Sequence, residues 1–93
     1  MNSADITNDS CPKLAAGVRL KFDDTRKSWM ILAPERVFML DEIAGEILLG
    51  CDGKNFSELI DFLLIKFDAP RPEIEEDVKE VLANLVVKGV LDI

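Results

Sequence analysis

Ninety-three residues, 48% of them hydrophobic, suffice for one small globular domain and are too apolar for a disordered chain. A net charge of -7 argues against a nucleic-acid backbone as partner, because that affinity rests on clustered Lys and Arg releasing counterions. With no His, no Tyr and two cysteines, the chain lacks the parts for a structural zinc site and for the usual nucleophile and base pairs.

The first ten residues are rich in Asn, Asp and Ser and offer nothing to bury, so residues 1–13 are expected to form a disordered tail and residues 14–93 the folded domain. The start has neither the basic and apolar segments of a signal peptide nor any run long enough to span a bilayer, which reads as a soluble, cytoplasmic protein with no membrane contact. Apolar Val18, Leu20 and Phe22 alternate with Arg19 and Lys21, the pattern of a strand with one wet face. Asp23 to Lys27 supply turn formers at hairpin length. Ser28 to Ala33 is apolar without alternation, as in the central strand of a covered sheet, and Pro34-Glu35 breaks it.

Arg36-Val37-Phe38-Met39-Leu40 then forms a third short strand that runs directly into Asp41-Glu42-Ile43. Val37 and Met39 share one face, Phe38 and Leu40 the other, and both faces are apolar. In the simplest meander this strand is an edge. An edge with unpaired main-chain groups and apolar side chains on both faces invites something to lie against it.

Everything after residue 40 reads as helix. Asp41 caps a first helix with Ile43, Ile47 and Leu48 on its apolar side and Ala44 for close approach, ending near Gly50. Cys51-Asp52-Gly53-Lys54 is a turn, and Asn55 with Glu58 has the form of a capping box. Leu59, Ile60, Leu63, Leu64 and Phe67 make the second helix's apolar face, which Asp68 to Pro72 stop. Pro72 suits the first turn of a third helix, and Glu73, Glu75, Glu76 and Asp77 suit the positive end of its dipole. Its stripe is Ile74, Val78, Val81, Leu82 and Leu85, closed by Lys88 and Gly89.

The predicted fold is therefore α+β, winged helix-turn-helix-like, a three-stranded antiparallel sheet followed by three α-helices. Such folds often read DNA, but here residues 73–80 carry five acids against Lys79, which would repel a phosphate backbone. A DNA-binding regulator stays as the alternative the charge disfavours, and a homo-oligomeric module, in which one copy's edge meets another's, as a second. Charge divides along the chain: residues 19–36 are mildly basic, residues 37–93 strongly acidic. Cys11 and Cys51 read as free thiols. No acid-base constellation and no phosphate-cradling glycine loop is present, so no catalytic residue, cofactor or metal is assigned and an enzyme is not expected.

The run Pro34-Glu35-Arg36-Val37, Leu40-Asp41-Glu42-Ile43-Ala44, Glu46-Ile47-Leu48 and Cys51-Asp52-Gly53 resembles the PqqD family, the D proteins of pyrroloquinoline quinone (PQQ) biosynthesis. The likeness extends from Gly17-Val18-Arg19-Leu20 to Ala69-Pro70-Arg71, Glu76-Asp77-Val78, Leu82, Leu85 and Lys88-Gly89, and covers about residues 12 to 91. The chain departs from the usual pattern at Met39, Phe56 and Ser57. The resemblance implies that residues 14–93 form a winged-helix peptide-recognition domain. It implies a non-catalytic chaperone that holds the precursor peptide PqqA as an added strand and delivers it to PqqE, a radical S-adenosylmethionine (SAM) enzyme that joins a Glu and a Tyr of that peptide. A monomer or weak homodimer is expected. Carried over by position, the peptide site comprises Arg36, Val37, Phe38, Met39 and Leu40 of the strand and Asp77, Val78, Val81 and Leu85 of the third helix. Core packing is the competing account of Phe38, Leu40, Val78, Leu82 and Leu85. Met39 and Val81 are the sharper candidates, Arg36 is either a peptide-carboxylate partner or a plain strand-end cation, and Trp29 reads as core or enzyme interface.

Overall fold

The computed structural model describes residues 6–51 and 53–93. Its elements run β1 (Lys13–Leu14), β2 (Arg19–Asp23), β3 (Ser28–Ala33), β4 (Arg36–Met39), α1 (Glu42–Gly50), α2 (Phe56–Lys66), α3 (Arg71–Val87) and β5 (Leu91–Asp92). The three predicted strands are β2, β3 and β4, an antiparallel meander in that order, and β4 is an edge. Asp23 shapes the hairpin by accepting the Thr25 N–H at 3.0 Å, and Lys27 closes it in the left-handed region at φ 54°.

Both predicted caps are present. The Asp41 carboxylate accepts the Ala44 N–H at 2.7 Å, while Asn55 and Glu58 exchange side chain to backbone hydrogen bonds at 2.9 and 3.0 Å. Each cap satisfies amides that the first turn of a helix leaves without carbonyl partners. Helix α1 lies on β3 through Gly45, where a Cβ would stand 2.8 Å from the Trp29 Cδ1; only glycine permits this approach. The core beneath the sheet joins Ile31 to Ile47, Phe56, Leu59, Ile60, Leu63, Val78 and Leu82. Trp29 packs against that core, in line with the first of its two expected roles. Lys66 and Glu46 at 2.8 Å, and Arg71 and Asp61 at 2.7 Å, tie the helices at their exposed rims.

Two expectations are corrected. Of the predicted tail, residues 1–5 lie outside the described residues, as does Asp52 of the turn, but within 6–13 Ile6 and Pro12 are buried and main-chain hydrogen bonds tie the segment to α2. The Ser10 and Asn8 carbonyls accept the Phe56 and Ser57 N–H groups at 2.7 and 3.3 Å. The first amides of α2 need acceptors, and the polar segment supplies them. Beyond it, Lys13 and Leu14 pair with Asp92 and Leu91 in a two-stranded sheet too short for any periodicity to announce. The second correction is Ile43, read as core and found exposed, because Asp41 starts the helix so soon after β4 that its first turn projects past the sheet.

Candidate functional site

The open edge of β4 is defined by one hydrogen bond. The Leu40 N–H donates to the Trp29 carbonyl at 3.0 Å, and antiparallel pairing alternates residues that exchange hydrogen bonds with residues that do not. The register Met30 to Met39, Ile31 to Phe38, Leu32 to Val37 and Ala33 to Arg36 therefore directs the main-chain groups of Phe38 and Arg36 toward β3. Those of Val37 and Met39 point the other way, into the open edge. These two residues are also the exposed ones, Val37 at 58% and Met39 at 46%, whereas Phe38 is half-buried and Leu40 buried.

Helix α3 runs alongside this edge in the opposite direction. At one end the Arg36 guanidinium donates to the Lys88 carbonyl at 3.0 Å, and both cations stand over the Phe38 ring, Arg36 at 5.1 Å and Lys88 at 5.5 Å from its centroid. Arg36 is thus bound to the end of α3 as well as exposed. At the other end, just past Leu40, Ile43 meets Asp77 and Val78 across an apolar cleft of about 160 Å³ whose floor includes Phe67 and Ile74. Among the residues carried over, Val78 and Leu85 are buried, Val81 is half-buried against the core, and Asp77 is exposed at the rim of the cleft. Core packing therefore accounts for Leu40, Val78 and Leu85, which shape the groove from below, while Val81 and Asp77 reach its surface from α3 and Val37 and Met39 stand exposed along the edge on the sheet face turned away from α3.

Ile43 is the groove residue the sequence argument missed. Its helical spacing with Ile47 concealed it, and the signal that it projects outward is its place in the first turn, directly after the edge strand. The cysteines take no part: Cys51 is buried, with its thiol pushed up to about 12 by desolvation, and Cys11 is exposed on the N-terminal segment. Among the described residues no three His, Cys, Asp or Glu side chains converge as metal ligands, and no helix is long and apolar enough to cross a membrane.

The whole chain superposes on the solution structure of the PqqD truncation of Methylobacterium extorquens PqqCD, with 37% identity, full coverage of both chains and a TM-score of 0.84. That protein is described as a functional, stand-alone recognition element for ribosomally synthesized and post-translationally modified peptides (RiPPs). TbiB1, in complex with the TbiA(beta) leader peptide, matches with a TM-score of 0.77 over 86% of this chain and 94% of its own; at 24% identity the likeness concerns the fold alone. A PqqA binding protein of Rhodopseudomonas palustris is 51% identical over 86 residues, 90% of this chain and 84% of that one. The sheet followed by three helices is the fold of a RiPP recognition element. Residues 28–91 match the family described as Coenzyme PQQ synthesis protein D, and the chain belongs to this PqqD family.

Proposed function

We propose that the chain binds the precursor peptide PqqA by β-augmentation along β4 and presents it to the radical SAM enzyme PqqE. The observation that carries this reading is the coincidence at Val37 and Met39 of main-chain groups directed into an open edge with exposed apolar side chains, on a strand flanked by α3. Two such residues offer two donors and two acceptors. Four ladder hydrogen bonds at about 0.5–1.5 kcal/mol net each make a useful but modest contribution, so side-chain burial must supply the rest of the affinity and all of the selectivity.

Each residue of the site has a distinct part. Val37 and Met39 pair with the guest through their main-chain groups and border its outward-facing side chains; Phe38 and Leu40 hold the strand against the core. Arg36, fixed on Lys88, sets one end of the groove. Val81 lines its helical wall, with Val78 and Leu85 behind it, and Asp77 marks the rim beside Ile43. The name of the R. palustris relative, a PqqA binding protein, supports this assignment. Titrating isotope-labelled chain with the precursor peptide tests it: amide signals at 36–40 and 74–85 should shift. Shifts confined to other regions, or none at micromolar peptide, would refute it.

A further inference from the structure

The outer face of the three-stranded sheet is apolar where it has no reason to be. The register places two rungs on it, Arg19 with Leu32 and Val37, and Lys21 with Met30 and Met39. On β2 this face is charged, as expected of a wetted face; on β3 and β4 it is not. The inner face is accounted for, since Leu20, Trp29, Ala33 and Phe38 all pack against the core, whereas Met30, Leu32, Val37 and Met39 stand outside that core cluster. A central strand apolar on both sides belongs to a sheet covered on both sides, and among the described residues this chain covers one.

We propose that this outer face docks a folded protein partner whose own surface carries an apolar patch bordered by carboxylates. The argument for that chemistry is the charge beside the patch. Arg19 and Lys21 are exposed along its β2 border; the adjoining turn adds no net charge, since Asp23 and Asp24 offset Arg26 and Lys27 and Arg26 pairs with Asp23 at 3.8 Å, while half of the chain's acids lie on the helices. An anionic membrane fits poorly with a net charge of -7. Geometry supports a role alongside the guest peptide. A strand added to β4 lies in the plane of the sheet, and α3 belongs to the inner layer, so Arg19, Lys21, Met30 and Leu32 stay free when the edge is filled, with Val37 and Met39 at the border between the two occupants. One domain can then hold peptide and partner at once, which is what delivery requires. The proposal rests on the delivery reading above, with the enzyme as the partner.

The test uses PqqE as the probe, binding to the peptide-loaded full chain and to two variants that leave the edge strand untouched. Arg19→Glu with Lys21→Glu reverses the border, and Met30→Glu charges the centre of the patch. Each should weaken enzyme binding at least tenfold, and the first should also abolish its salt dependence, while peptide affinity stays within threefold of the parent chain. Enzyme binding within threefold of the parent in both variants would overturn the proposal alone. A parent chain that binds peptide but not enzyme would overturn the delivery reading and this proposal together. Sedimentation that reveals a dimer dissolved by the double charge reversal would assign the face to a second copy, and would likewise overturn it.

Discussion

Replacing Val37 by proline should separate peptide binding from folding. The Leu40 to Trp29 hydrogen bond fixes the parity of the ladder, so the Val37 N–H points away from β3 and no strand among the described residues uses it. Proline at such an edge position deletes a donor that the fold does not need, and Arg36 before it lies in β4, in the extended conformation that a residue preceding proline adopts. The expected cost in stability is about 1 kcal/mol. For a guest strand the loss is larger. One ladder hydrogen bond of about 1 kcal/mol disappears and its acceptor is left unpaired in a desolvated groove at a further 1–3 kcal/mol. Together these weaken affinity roughly 30- to 1,000-fold. Phe38→Pro is the control: its N–H is directed at Ile31 and its ring packs on the core, so the same substitution one residue along should cost about 3 kcal/mol or more in folding. Calorimetric titration with synthetic precursor peptide measures the first effect, and urea unfolding followed by Trp29 fluorescence measures the second. If Val37→Pro binds within twofold of the parent chain, or is destabilised as much as Phe38→Pro, the assigned parity of β4 is wrong.

Met39→Asp should leave stability within about 0.5 kcal/mol, because Met39 is exposed, yet weaken the peptide at least tenfold in the same titration; loss of the folded state would instead place Met39 in the core. Gly45→Ala adds a methyl 2.8 Å from the Trp29 ring and should lower stability by about 1–3 kcal/mol, against the gain of up to about 1 kcal/mol that helix propensity alone gives; a raised urea midpoint would refute the close approach. Alkylation at pH 8 should modify Cys11 alone in the native chain and both thiols in urea, since burial holds Cys51 protonated up to about 12. The same shift makes stability fall with alkali. The unfolded thiol ionises near 9.0 and the folded one near 12, so the Cys51 contribution is intact below pH 9 and is lost between 9 and 12. At pH 10 the loss is on the order of 1 kcal/mol relative to pH 8, and it should vanish in Cys51→Ala when the urea midpoints of the two proteins are compared.

The elements that the sequence revealed are those with a local cause. Alternation at Val18 to Phe22, the unbroken apolar run at Ser28 to Ala33 and the caps at Asp41 and Asn55 each need only neighbouring residues to be read, and the structure places all of them as expected. What escaped depends on distant partners. Nothing near Ile6 says that it is buried, and two-residue β1 acquires meaning only from β5 at the far end of the chain. Ile43 carries the right spacing for a core stripe and is turned out by the position of the helix start. At the site, composition alone identified an edge strand apolar on both faces. It could not tell which of its residues direct main-chain groups outward; that required the register with β3.

An open edge is also a hazard, because two copies of this chain could pair through it. The strand is short, four residues, and its first residue is held to the end of α3 by the Arg36 to Lys88 hydrogen bond. The neighbouring helix adds a second defence. Glu73, Glu76, Asp77 and Glu80 are exposed along α3, so an edge-to-edge pair would bring two acidic helices toward each other in a protein that already carries a net charge of -7. A single extended peptide without such a helix meets no equivalent repulsion. The acidity that argued against DNA would thus also oppose pairing of the β4 edge with a second copy, and sedimentation at low and high salt checks it: a monomer at low salt that self-associates as salt rises is the expected outcome.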